Sequence, residues 1–291
     1  MSERIQGRII KGIGGFYYVD TAQGIIECRA RGSFRKAGIT PVVGDIAEVR
    51  LEPDGRLCAV ERILPRQNLL VRPPVANVTQ MAVVVAAASP RPNLLTLDKL
   101  IAAAEHAGVG IILCLNKTDL DVGEALAAVY RQAGFPVIQL SAAEGWNIDE
   151  LRRQLCGQVT VFAGNSGVGK SSLLNCLLGE RTFETGEVNE KIARGRHTTR
   201  HSELVVLPEG GYLIDTPGFS SFTLEGVPAD ELAGLFREFA PYRGCCRFRD
   251  CSHTVEKGCA VLEALEDGKI ALSRHESYKT LYTEAKAQRE W

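Results

Sequence analysis

A glycine-rich segment, GNSGVGKS at residues 164–171, constrains the fold of this chain more than any other feature. It matches the pattern GxxxxGK(S/T) at every fixed position and lies between the apolar stretch QVTVFA and a segment with helical spacing. Glycines there let backbone N–H groups turn towards phosphate oxygens, and the helix N-terminus adds partial positive charge. The segment predicts a phosphate-binding loop; the alternative is an ordinary glycine-rich turn between a strand and a helix.

Several residues of this loop are candidate contacts to a bound nucleotide. Lys170 would reach the β- and γ-phosphates and is a candidate catalytic residue, and the Ser171 hydroxyl would be a ligand of Mg²⁺. The expected contacts are Gly164, Asn165, Ser166, Gly167, Val168, Gly169, Lys170, Ser171 and Ser172.

Apolar strands alternate with helices around the loop, from about residue 69 onward. MAVVVAAA, GIILCL and FPVIQLS have the composition of buried strands, and helical spacing is found at residues 97–107, 123–133, 148–155 and 170–178. Continuous apolar strands between helices predict a parallel sheet covered by helices on both faces.

A second motif, NKTD, directly follows the buried strand GIILCL. The Asp119 carboxylate could accept hydrogen bonds from the N1–H and exocyclic amine of guanine, which adenine lacks, so it could select guanine. Asn116 would brace the loop, and the Lys117 stem would lie over the base. The alternative reading of the tetrapeptide is a helix N-cap formed by Asp119, which the placement two strands ahead of the phosphate loop disfavours.

Two further loops complete the set expected around a guanine nucleotide. Ser141 and Ala142, after the strand FPVIQL, would form the loop over the purine edge. The segment DTPG follows the strand YLI, so Asp215 could hold Mg²⁺ through water and the Gly218 N–H could bond the γ-phosphate.

The order of these motifs is unusual. Most GTPases run phosphate loop, threonine loop, DxxG, NKxD and SA, whereas this chain runs NKTD, SA, phosphate loop, threonine loop and DTPG. A circular permutation preserves packing because the cut and the new join both lie at surface loops. It also places DTPG directly ahead of the C-terminal segment, which we expect to respond to the nucleotide.

Four of the nine cysteines crowd into residues 245–259. Cys246, Cys251, His253 and Cys259 would supply three thiolates and one imidazole, a set suited to a closed, structural zinc site. Cys245 is an alternative to Cys246, and four reduced cysteines in a loop are the alternative to a metal. The remaining five cysteines are expected as reduced core residues because they lie in apolar segments: Cys28, Cys58, Cys114, Cys156 and Cys176.

Length and composition indicate several domains of a globular protein. At 291 residues the chain exceeds one typical domain, and short β-like pieces at its start favour a small antiparallel barrel or a sandwich. A barrel of the OB type could bind oligonucleotides. We predict three domains: an OB-fold barrel at 1–68, a permuted GTPase domain at 69–222 and a zinc-binding helical domain at 223–291.

The net charge of the chain is −1, so any contact with RNA must come from local basic patches such as Arg29–Lys36. No apolar run suggests a signal peptide or a membrane span, so a cytoplasmic protein is expected. Nothing in the sequence suggests more than a monomer.

The motif order, the barrel-like leader and the cysteine cluster together resemble the circularly permuted GTPases of the RsgA family, which assist assembly of the small ribosomal subunit. The resemblance covers essentially the whole chain and is carried by NKTD, SA, GNSGVGKSS, GRHTT, DTPGF and the cysteine spacing, which favours Cys246 over Cys245. It implies Mg²⁺-dependent hydrolysis of GTP to GDP and phosphate, one structural Zn²⁺, and binding to the small subunit and its rRNA. Arg200 departs from the family pattern, which has a third hydroxyl residue there.

The segment GRHTTR, residues 195–200, is the candidate switch loop. The resemblance favours Thr199 as the threonine that closes on Mg²⁺, with Thr198 as the alternative. The position that carries a water-orienting glutamine in Ras-like GTPases is Phe219 here, which cannot bond water. His197 is the candidate catalytic residue in its place, because an imidazole can position or polarise water at neutral pH. Packing within the loop or contact with RNA is the alternative role.

Two other functions are compatible with the motifs. One is a GTPase of large-subunit assembly, although those relatives generally lack the barrel and the cysteine cluster. The other is an RNA-binding or signalling switch regulated by guanine nucleotide, in which hydrolysis is incidental. Phe219 is compatible with this function, because it stands in place of the glutamine that orients water in Ras-like GTPases.

Overall fold

The computed structural model describes residues 4–32, 34, 38–51, 58–71, 74–179, 203–215 and 223–288. The chain forms two compact units: the first contains Met1–Gln80, Arg152–Val161 and Glu184–Ser221, and the second contains Met81–Leu151, Phe162–Phe183 and Phe222–Trp291. In the part of the chain that the structure describes, no helix combines the length and apolar character needed to cross a membrane.

Strands and helices alternate through the middle of the chain and give way to helices at its end. The strands are β1 Arg4–Ile13, β2 Phe16–Thr21, β3 Gly24–Ala30, β4 Ile46–Arg50, β5 Cys58–Ile63, β6 Leu69–Val71, β7 Pro74–Ala76, β8 Gln80–Ala86, β9 Gly110–Asn116, β10 Val137–Gln139, β11 Val159–Ala163, β12 Glu203–Val206 and β13 Tyr212–Asp215. The α-helices are α1 Leu94–His106, α2 Glu124–Gln132, α3 Ile148–Leu155, α4 Lys170–Leu178, α5 Ala229–Leu232, α6 Ala260–Glu266 and α7 Leu272–Gln288, with 3-10 turns at Ala233–Leu235 and Arg237–Phe239.

Five strands of the first unit close into a small barrel. The strand order is β1-β2-β3-β5-β4, and β4 returns to pair with β1. All of these pairs are antiparallel except β3 with β5. The barrel core consists of buried apolar side chains, namely Ile9, Val19, Cys28, Phe34, Ala47, Val49 and Val60. The predicted OB-like barrel is therefore confirmed.

The first unit also holds β12, β13 and the first three residues of β11, and the strand order is β11-β13-β12-β1. β11 and β13 are parallel, as predicted, but β12 and β13 are antiparallel, so this part of the sheet is mixed. The reason is the short connection between them, closed by hydrogen bonds from Leu207 N to Gly211 O and from Gly210 N to Leu207 O, both 3.0 Å. So short a connection can join only antiparallel neighbours, because a parallel pair needs a long crossover.

In the first unit, one feature was not predicted and one expectation was wrong. The hairpin of β6 and β7 was not predicted, because three-residue strands are too short to show a hydrophobic period. Cys156 is exposed rather than buried. It lies just after the end of α3, where the chain reaches the surface, and its Sγ lies 3.1 Å from Glu209 O.

In the second unit, β10, β9 and β8 are neighbours in that order, and β10 is parallel to β9. Helix α1 begins at Leu94, earlier than its spacing indicated, because the Asn93 side chain caps it by accepting a hydrogen bond of 3.0 Å from Thr96 N. Ala102 of α1 belongs to the same apolar core as Phe236, Phe239 and Tyr278 from the C-terminal segment. The C-terminal helices thus share a core with the segment that precedes the NKTD motif.

One buried cation organises this core. Arg274 of α7 is 1% exposed; its Nη1 lies 2.6 Å from Asp98 Oδ1 on α1, and its Nε lies 2.6 Å from Glu238 Oε1 in the second 3-10 turn. The Tyr130 hydroxyl of α2 donates a 2.7 Å bond to the same Asp98 oxygen. Burial alone would lower the pKa of Arg274, but the two carboxylates outweigh it and raise that pKa. The guanidinium also lies 4.6 Å from the centre of the Phe236 ring.

Replacing this cation with an apolar side chain of similar length is predicted to destabilise the second unit. Arg274→Met would leave Asp98 and Glu238 buried without a counter-charge, a change that typically costs about 3–5 kcal/mol. Urea unfolding at neutral pH, followed by tryptophan fluorescence, measures the loss.

The matched control is Lys99→Met, which removes the exposed Lys99–Glu284 ion pair between the same two helices, 2.7 Å long. Exposed pairs contribute only about 0–1 kcal/mol. An equal effect of the two substitutions would contradict the role given to Arg274.

Candidate nucleotide and metal sites

The phosphate-loop residues form a tight turn between β11 and α4. Gly164, Gly167 and Gly169 have φ angles of 143°, 79° and 95°, which side chains other than glycine rarely adopt. A Cβ on Gly164 would lie 2.2 Å from Val84 O, and one on Gly169 would lie 2.2 Å from Asn116 Nδ2. Two of the glycines are therefore required by packing as well as by backbone conformation.

The side chains of the loop divide between its surface and its interior. Asn165 and Ser166 are exposed, whereas Val168 is 3% and Ser171 9% exposed. The Lys170 ammonium donates bonds of 2.7 Å to Gly164 O and to Asn165 O, so it lies across the mouth of the loop. Burial lowers the pKa of Lys170. An anionic phosphate would oppose that shift and hold the ammonium in its charged form.

Asn116 joins three loops, and its side chain is almost completely buried. Its Nδ2 donates a 2.9 Å bond to Val168 O in the phosphate loop, and its Oδ1 accepts a 3.0 Å bond from Ala142 N. Cys176 of α4 adds a contact of 3.3 Å from its Sγ to Ala142 O. The NKTD, SA and phosphate loops, which are far apart in the sequence, are thus held together by short polar contacts.

The remaining NKTD residues lie at the same edge of the sheet. Lys117 has a left-handed φ of 66°, and its Nζ donates a 2.6 Å bond to Ser89 O. The Ser141 hydroxyl donates a 2.6 Å bond to Asp119 Oδ1 and thereby orients a carboxylate that is itself exposed. Ser89 was not identified from the sequence; it contributes a backbone oxygen, and no motif marks such a position.

Five predicted site residues lie outside the described residues: His197, Thr198, Thr199, Gly218 and Phe219. Asp215 is described only in its backbone, which ends β13 opposite Glu203 of β12. The roles given to these residues, like the three domain boundaries, stay predictions.

The cysteine cluster has the geometry of a metal site. The ligand atoms of Cys246, Cys251, His253 and Cys259 all lie within 4.8 Å of one another. His253 Nδ1 lies 3.5 Å from Cys246 Sγ and 3.4 Å from Cys259 Sγ, and the sulfurs of Cys246 and Cys259 are 3.9 Å apart. Tetrahedral zinc, with bonds of about 2.3 Å to sulfur and about 2.0 Å to nitrogen, places two sulfurs about 3.8 Å apart and sulfur and nitrogen about 3.5 Å apart. The four residues therefore fit zinc, with Nδ1 as the imidazole ligand.

Protonation of these ligands follows from their burial. Burial raises the pKa of Cys251 to about 12 and lowers the pKa of His253, and both shifts favour the neutral side chain. A zinc ion would replace the thiol protons. Cys245 is exposed and is not one of the four clustered residues.

Comparisons with known proteins agree with this architecture. The family model for the RsgA GTPase matches residues 63–225, and that for the RsgA N-terminal domain matches residues 6–56. A protein of Caldanaerobacter subterraneus subsp. tengcongensis, named small ribosomal subunit biogenesis GTPase RsgA, is 49% identical over 98% of this chain and 97% of its own length. One of the same name from Ruminiclostridium cellulolyticum is 46% identical over 95% of this chain and 92% of its own.

Solved structures give the same result. YjeQ from Thermotoga maritima superposes with a TM-score of 0.82 at 34% identity and covers 97% of this chain and 99% of its own. YloQ, described as a circularly permuted GTPase, superposes with a TM-score of 0.83 at 33% identity and covers 98% and 96% of the two chains. The family models, the curated relatives and the solved structures thus agree along nearly the whole length, and the chain belongs to the RsgA family of circularly permuted GTPases.

Proposed function

We propose that this GTPase acts in biogenesis of the small ribosomal subunit, binding the subunit and its rRNA and hydrolysing GTP faster when bound. One observation carries the proposal: relatives named for that process match 95–98% of this chain, its barrel and cysteine cluster included. A cytoplasmic monomer suits such a role. The large-subunit and signalling alternatives have no comparable support.

Arginine–aromatic pairs in the barrel and in the cysteine cluster support contact with RNA. In the barrel, the Arg29 guanidinium lies 4.5 Å from the centre of the Phe16 ring. In the cysteine cluster, the Arg247 guanidinium lies 5.5 Å from the centre of the Phe248 ring, and Phe248 is 52% exposed. Arginine–aromatic pairs of this kind can stack on bases while the cation remains near phosphate.

The chemistry assigned to the nucleotide site is mainly positioning and charge stabilisation. The amides of the phosphate loop and the Lys170 ammonium would hold the β- and γ-phosphates, and the Asp119 carboxylate, oriented by Ser141, would bind the guanine edge. Mg²⁺, when bound, neutralises phosphate charge, and we assign its ligation to Ser171, Thr199 and Asp215. His197 is assigned to orient the attacking water.

Guanine specificity is predicted to depend on Asp119. In Asp119→Asn, the amide NH₂ would face the N1–H and amine of guanine, so affinity for GDP should fall by about 100-fold or more, whereas XDP, which offers a carbonyl in place of the amine, should bind more tightly. Equilibrium binding of both nucleotides measures the switch. Asp121→Asn is the control, because Asp121 is exposed and uses only an acceptor oxygen, at 2.9 Å, to bond Gly123 N. Unchanged GDP affinity in Asp119→Asn would contradict the assignment.

The ribosomal role is tested by GTP turnover with purified subunits. We expect small subunits, but not large subunits, to raise turnover by at least about tenfold, as partner proteins do for other slow GTPases. Lack of stimulation would contradict the proposed function.

The role of His197 is tested in the same assay under single-turnover conditions. His197→Ala should slow hydrolysis by about 100-fold or more, the usual contribution of a positioned general base. His201→Ala, four residues further along the chain, is the control. Undiminished hydrolysis in His197→Ala with small subunits present would exclude this assignment.

A further inference from the structure

The loop that carries the metal ligand His253 has an unusual backbone. His253 has a φ of 57°, in the left-handed region that residues with a Cβ seldom adopt. Such a conformation persists only where neighbouring contacts enforce it. Its imidazole faces the Cys246 and Cys259 sulfurs, so the conformation is the one that presents the ligand.

Donors on both sides of His253 converge on a single carboxylate, that of Glu256. Glu256 Oε1 accepts from Ser252 N at 2.8 Å and from the Ser252 hydroxyl. Glu256 Oε2 accepts from Thr254 N at 3.0 Å and from Val255 N at 3.1 Å. The four donors lie on both sides of His253, so one anion holds the loop before and after the ligand.

Glu256 is ionised and is not itself one of the clustered ligands. Burial raises its pKa, but the bonds from Ser252 and from the backbone outweigh burial and lower that pKa to about 2. Each of its oxygens already accepts two hydrogen bonds from the loop, and the cluster of possible metal ligands does not include it.

The opposite side of the loop rests on α7. His275 Nε2 donates a 2.8 Å bond to His253 O, and the Tyr278 hydroxyl donates a 2.7 Å bond to Ser252 O. The loop carbonyls are therefore held by the helix, and the loop amides are held by Glu256. Without the carboxylate, the amides of Ser252, Thr254 and Val255 would lose their acceptor, while the helix contacts would remain.

We infer that Glu256 is a positioning residue of the metal site: by binding the donors on both sides of His253, its carboxylate holds the imidazole in the geometry that zinc requires and so sets the affinity of the site. This inference rests on the proposed zinc site. It assigns Glu256 no contact with the metal. Groups that orient metal ligands in this indirect way typically change metal affinity by about 10- to 100-fold when they are replaced.

The test is Glu256→Gln in the full-length chain. A glutamine side chain of the same shape offers only one oxygen, so its NH₂ must face either the two Ser252 donors or the amides of Thr254 and Val255. Zinc affinity, measured by competition with a chromophoric chelator, should fall by about 10- to 100-fold. At saturation the Co²⁺-substituted protein should still show the absorption of a tetrahedral thiolate site, since all four ligands remain.

Glu266→Gln is the matched control, because Glu266 is an exposed glutamate in the last turn of α6, seven residues after the ligand Cys259. It should bind zinc like the wild type. GDP affinity, measured on each variant, reports whether the rest of the second unit is folded. If Glu256→Gln does not fold, Ser252→Ala removes one of the four donors and must also lower zinc affinity.

Each outcome decides between the inference and the site on which it rests. Wild-type zinc affinity in Glu256→Gln, or an equal loss in Glu266→Gln, would overturn the role of Glu256 and leave the metal site intact. A wild-type chain that binds neither zinc nor Co²⁺ would overturn the proposed metal site, and the role of Glu256 with it.

Discussion

The buried guanidinium of Arg274 is the interaction on which the second unit depends. It neutralises two carboxylates, Asp98 from α1 and Glu238 from the C-terminal segment, at 2.6 Å each. Removing any one of the three charges would leave another uncompensated in the core. The three charges therefore stabilise the packing of α1, the second 3-10 turn and α7 against one another. The next residue of α7, His275, bonds the loop that presents the metal ligand His253. The metal cluster belongs to the same compact unit as the NKTD, SA and phosphate loops.

Asn116 has a comparable role at the nucleotide site. The permuted order places it 52 residues ahead of Val168, yet its amide bonds that residue's carbonyl and also the backbone of Ala142. The Asn116 side chain thus holds the NKTD loop in a fixed position relative to the phosphate loop and the SA loop. This explains how a rearranged motif order can preserve the site: the contacts depend on which strand ends adjoin at the edge of the sheet, and not on the order in which the chain visits them.

The sequence predicted features that have a local pattern. Helices α3 and α4 begin and end where their spacing and the phosphate motif indicated, at Ile148–Leu155 and Lys170–Leu178. The pairing of Asp98 with Arg274, 176 residues apart, has no local signal, since either residue would normally be assigned to the surface. The same holds for Glu256, whose role depends on a backbone conformation that no motif records. Long-range charge pairing and loop geometry were the parts that sequence patterns could not supply.

The claim that the NKTD, SA and phosphate loops and the metal cluster belong to one folded unit is tested most directly by native-state hydrogen exchange on the full chain, with and without GDP. Amides of β9, ahead of the NKTD motif, and of α7, around Arg274, should open with the same free energy, and GDP should raise both by the same amount, because a ligand stabilises every segment that opens only when its whole unit unfolds. An α7 that opens at lower free energy and does not respond to GDP would contradict the claim.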